Sequence, residues 1–119
     1  MRHAFFVAFL LACSIAFAGE ADVIDVKIRR AAQNTFDFDV TVKSIDRGWN
    51  YYADAFEVLA PDGRVLGRRV LLHPHETEQP FTRDLYGVRI PTDIKHVVVR
   101  ARHKPKGYDG ESLSVKLPR

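Results

Sequence analysis

Apolar and polar side chains alternate with period two along the first part of the chain. Ile24, Val26 and Ile28 interleave with Asp25, Lys27 and Arg29, and Phe36, Phe38, Val40 and Val42 interleave with Asp37, Asp39 and Thr41. Successive side chains of a strand point to opposite faces, so each run predicts a strand with one buried and one solvated face. Further strand-like runs cover about 52–60, 64–72, 81–90, 95–103 and 112–117. Turn chemistry separates them. In Pro61-Asp62-Gly63, proline presets one backbone angle and glycine accepts a positive one, while Gly87 inside the fifth run marks a bulge.

Seven short runs with regular turns and no amphipathic helical pattern predict an all-β antiparallel sandwich of immunoglobulin or fibronectin type. A small Greek-key barrel is the alternative. If consecutive strands run up and down, connections alternate between two poles. One pole receives the short turns 31–34, 61–63 and 91–93. The other receives the loops 44–51, 73–80 and 104–111, which concentrate aromatic, imidazole and carboxylate groups at one end. Rigid sandwiches place binding on such loop clusters.

The hydrophobic run at the start has a different character. Arg2 precedes an almost unbroken apolar stretch from Phe5, and Ala16-Phe17-Ala18 has the small-x-small pattern of a signal-peptidase site. This predicts a cleaved signal peptide over 1–18, a single sandwich domain over 19–119, and a periplasmic or secreted location. The stretch is shorter than the roughly 20 residues that span a bilayer, and no membrane span is expected elsewhere. Cys13, the single cysteine, opens a second reading in which Leu10-Leu11-Ala12-Cys13 is a lipoprotein cleavage site and Cys13 carries the anchor. With cleavage after Ala18 no thiol remains, which excludes disulfides, thiol catalysis and thiolate metal sites.

Charge narrows the partner. The chain has 18 basic and 15 acidic residues, a net charge of +3, which is a mixed surface and not the concentrated basic footprint of a nucleic-acid binder. Enzyme signatures such as Gly-x-Ser-x-Gly, a phosphate-binding glycine loop or His-Glu-x-x-His do not occur. The expectation is a non-enzymatic binding or accessory module without a cofactor, recognising a protein or glycan. Its oligomeric state is left open.

Three tyrosines, Tyr51, Tyr52 and Tyr108, are the expected partner-binding residues, because aromatic rings offer flat apolar faces with polar rims. Trp49 is expected in the core, where sandwich folds bury a ring at the start of the third strand. Arg64, Arg68, Arg69, Arg100 and Arg102 are expected on outward strand positions, paired with acids and without functional weight.

The segment His73-Pro74-His75-Glu76-Thr77-Glu78 supplies the alternative function, a periplasmic zinc or copper(II) protein. Pro74 holds His73 extended. Parity brings His103 to the same pole, with Glu76 or Glu78 as oxygen ligands, and this donor set suits zinc or copper(II). A His-Pro-His segment that merely caps a strand explains the same residues.

The stretch from Gly48-Trp49 through Tyr52-Ala53-Asp54, Glu57-Val58-Leu59-Ala60-Pro61-Asp62-Gly63, Leu66-Gly67 and Leu71-Leu72-His73-Pro74-His75 to Glu78-Gln79-Pro80-Phe81-Thr82-Arg83 resembles small uncharacterised exported bacterial proteins. The resemblance implies export and a small immunoglobulin/fibronectin-like β domain. It implies no catalytic or binding residue.

Overall fold

A computed structural model describes residues 18–119. The expected signal over 1–18 and the Cys13 anchor therefore lie outside the described residues, Ala18 excepted. Seven strands follow in order: β1 (Ala21–Ala32), β2 (Thr35–Ser44), β3 (Tyr52–Leu59), β4 (Val65–Val70), β5 (Phe81–Arg89), β6 (His96–Lys104) and β7 (Leu113–Lys116). They form two antiparallel sheets, one ordered β1-β2-β5 and the other β4-β3-β6-β7. No helix among the described residues is long and apolar enough to cross a membrane.

The alternation read from β2 becomes the inner face of the three-stranded sheet. Phe36, Phe38, Val40 and Val42 are fully buried and meet Ala53, Phe56 and Val58 of β3 and Val97, Val99 and Ala101 of β6 in one core. Because β2 and β3 are both interior strands, each contributes side chains flanked on two sides by neighbours.

Two of the register shifts between paired strands change what the pattern predicts. The pairing of β1 with β2 shifts between Val23 and Asp25, so Val23 is buried while Ile24 is 47% exposed. The extra residue turns Ile24 away from the face that alternation had assigned to it. A bulge also lies opposite the shift between Phe36 and Phe38. It contains Gly87 at φ +70°, a conformation glycine adopts without cost, and the Gly87 amide donates to Asp37 at 2.9 Å.

Parity of the connections holds. At the turn pole, Asn34 Nδ2 donates to Thr92 Oγ1 and Arg119 reaches Asn34, Ile90, Pro91 and Ile94. The connections 45–51 and 71–80 both cross between sheets at the opposite, loop pole, where they bond to one another.

Replacing Phe56 by alanine is expected to cost about 3–5 kcal/mol, the range for truncating a buried aromatic ring. Trp49→Ala is expected to stay within about 0.5 kcal/mol of wild type, as surface substitutions do. Urea unfolding of both variants checks this contrast; comparable losses would contradict the core described above.

Candidate functional site at the loop pole

The loop pole is organised by a carboxylate. The Asp46 side chain is fully buried. Its Oδ1 accepts from the Ser44 hydroxyl at 2.7 Å and the Ala53 amide at 3.0 Å, and its Oδ2 accepts from the His75 amide at 2.7 Å. Gln79 completes the junction. Its Oε1 accepts from the Ser44 amide, and its Nε2 donates to the His75 carbonyl, both at 2.8 Å. These bonds join the end of β2, the start of β3 and the 71–80 loop. Each satisfies a buried group whose exposure to nothing but carbon would cost about 1–3 kcal/mol.

His75 belongs to this junction. Its ring is buried and stacks on Phe81 with centroids 4.0 Å apart and planes 10° apart. Nε2 lies 3.0 Å from Arg83 Nη2. A guanidinium only donates, so Nε2 accepts and the proton of the neutral ring sits on Nδ1, 4.0 Å from Asp46 Oδ2. Burial, then the charge of Arg83 and the proximity of His73, hold the His75 pKa below the ordinary imidazole value.

The expected three-histidine centre does not form. His73 and His75 do come together, with ring centroids 4.5 Å apart. His103 is instead fully buried, donates from Nε2 to the Ile45 carbonyl at 2.9 Å, and meets the Tyr51 ring edge-on at 4.5 Å. The loops converge as parity required, but β6 points this ring inward beneath Tyr51. His73 Nδ1 bonds the Pro74 carbonyl at 3.0 Å. Glu78 is held by Arg83 at 3.0 Å, which lowers its pKa, and Glu76 lies near Gly48. Among the described residues no group of three or more His, Cys, Asp or Glu side chains is placed to hold a metal ion.

The tyrosines divide. The Tyr51 hydroxyl donates to Glu20, and Arg47 stands 4.8 Å over its ring. Tyr108, 41% exposed, donates its hydroxyl to Glu57 at 3.1 Å and carries Arg100 over its ring at 3.6 Å. Both rings are thus pinned by intramolecular contacts. Tyr52 meets Trp49 edge-to-face with centroids 5.9 Å apart.

Trp49 corrects the expectation of a core ring: it is 62% exposed. The Arg47 amide donates to the Tyr51 carbonyl and the Tyr51 amide to the Gly48 carbonyl, closing a tight turn with Trp49 near its tip. Gly48 has φ +117°, which the turn requires and a side chain would resist. The large rings buried in the core are instead Phe36, Phe38, Phe56 and Phe81.

Sequence reasoning also passed over Glu57. It lies on the outer face of the four-stranded sheet yet is only 2% exposed. Arg68 Nη1 bonds Oε2 and Arg100 Nε bonds Oε1, each at 2.9 Å. The register places Glu57 directly between these arginines on β4 and β6. A glutamate within an otherwise apolar run, 55–60, was the available signal.

A similar protein is the "Putative lipoprotein" of Halomicrobium mukohataei, 40% identical over 96 residues that make up 81% of this chain and 47% of the relative. The chain spans about half the length of the curated relative it matches. No family model matches the chain, and no solved structure matches it.

The His75 pKa has a definite consequence for stability. An imidazole whose folded pKa lies below 6.5 stays neutral in the fold while the unfolded chain takes up a proton. Its contribution is complete above pH 6.5 and is lost as pH falls toward the folded pKa. His75→Phe, which can still stack on Phe81 but cannot ionise, is therefore expected to show a flatter stability profile than wild type between pH 6.5 and 5. Parallel profiles in denaturant titrations would show that the ring ionises freely.

Proposed function

We propose that this chain is an exported, non-enzymatic binding module of immunoglobulin/fibronectin type that recognises a protein or glycan partner through its loop pole. The observation that carries the reading is the exposed Trp49 ring, held by a closed turn and packed against Tyr52. A large aromatic ring displayed on a rigid support loses little conformational entropy when it is covered, which favours recognition. The division into sheets β1-β2-β5 and β4-β3-β6-β7, with crossing connections between them, supports the immunoglobulin/fibronectin assignment.

Concave ground supports recognition by a surface more than enclosure of a small molecule. Depressions lined by Asn34, Arg89, Ile90 and Pro91, and by Pro61, Asp62, Asp93 and His96, lie at the turn pole, away from the aromatic pair. The relative's lipoprotein name supports export. Cleavage after Ala18 gives a mature chain beginning at Gly19, whereas the anchored form begins at Cys13.

The test compares wild type with Trp49→Ala/Tyr52→Ala in capture of material from the native cell envelope, with folding of both confirmed by their unfolding midpoints. Retention of a partner by wild type and loss of at least about tenfold by the double variant is expected, since paired aromatic contacts contribute about 0.5–1.5 kcal/mol each beyond area burial. Equal retention would place recognition elsewhere.

A further inference from the structure

We propose that the outer face of the four-stranded sheet binds a linear anionic polysaccharide, a polymer of sugar carboxylates. The inference deepens the binding-module reading and rests on it.

Arg100, Arg102 and Lys104 alternate along β6 and share its outward face. At the strand rise of about 3.4 Å per residue they form a column of cations about 7 Å apart. Lys104 is paired across the ladder with Tyr52, and Tyr52 carries Trp49. The column therefore ends at the exposed aromatic pair. Arg68 joins it from β4 on the Glu57 rung.

The cations are oriented before any ligand arrives. Glu57 holds Arg68 and Arg100, Tyr108 stacks beneath Arg100, and Asp54 holds Arg102. Four cations here face two carboxylates, which leaves positive charge on this face. Arg68, Arg100 and Arg102 side chains remain 45%, 33% and 39% exposed. Each keeps guanidinium N–H groups with no partner among the described residues, since Glu57 and Asp54 engage only part of each fork.

The opposite sheet does not share this bias. Its outward Asp25, Asp37, Asp39 and Asp84 are balanced by Lys27, Arg29, Lys43 and Arg89.

Evenly repeated cations match a polymer with a charge on each unit, and Trp49 and Tyr52 match the flat C–H face of a sugar ring. An acidic protein fits less well. Protein interfaces have cores depleted of charge, whereas the centre of this face is an Arg–Glu–Arg rung.

The probe is polygalacturonate, with its methyl ester as the uncharged counterpart, and binding is followed through the emission of Trp49, the single tryptophan. Polygalacturonate should bind saturably, shield Trp49 from acrylamide, and bind more weakly as salt rises. The methyl ester should bind at least about tenfold more weakly, because the charge-assisted bonds are lost. Lys104→Glu, at an exposed position, should weaken binding about fivefold while leaving the unfolding midpoint unchanged.

Equal binding of ester and acid would overturn the proposal, as would no binding of either. Equally tight binding of polyglutamate or of vesicles rich in phosphatidylglycerol would also overturn it, showing capture of any polyanion. These failures leave the module reading standing, because envelope capture by Trp49 and Tyr52 is measured without polygalacturonate.

Discussion

The buried carboxylate of Asp46 is the constraint on which the loop pole depends. Two connections cross between the sheets at this end, and Asp46 ties both of them to the start of β3 through Ser44, Ala53 and His75. A buried carboxylate without donors would be heavily penalised, but hydrogen bonds to backbone amides and a hydroxyl compensate its lost hydration. The same bonds leave the 71–80 loop little freedom. His75 then acts as a neutral, stacked wall of the junction, and its Nε2 is committed to Arg83. That commitment makes His75 part of a structural lock and takes its Nε2 lone pair out of any donor set shared with His73 and the nearby glutamates.

A second electrostatic assembly organises the outer face of the four-stranded sheet. Glu57 receives two guanidiniums and a phenol on its two oxygens, all supplied by residues that the register and the β6–β7 loop bring alongside. The burial of Glu57 is tolerable because its partners compensate it, and it need not add net stability to be useful. Its effect is to orient Arg68 and Arg100, with Tyr108 packed against the latter. The core stabilises the two sheets, Asp46 fixes the loops at one end, and Glu57 sets the guanidiniums on the outward face leading to that end.

Much of this frame was legible in the residues. Alternation in β2 identified its buried face because an interior strand exposes its two faces to opposite environments, and up-and-down parity correctly gathered the three long loops. Ile24 failed because a bulge adds a residue without changing the period that precedes it. Trp49 failed because the analogy placed it at the start of a strand, whereas it sits in a closed turn that carries it into solvent. His103 was assigned to the correct pole but not to its inward face. Asp46 and Glu57 carry no local signature: one depends on amides far apart in sequence, the other on cross-strand neighbours known only from the register.

Native-state hydrogen exchange at the Ala53 and His75 amides measures the rigidity of this pole most directly. The account predicts that both exchange slowly, with opening free energies close to that of global unfolding, because both donate to the same buried carboxylate. Rapid exchange of either amide through local opening, while the amides of β2 stay protected, would contradict a loop pole held by Asp46.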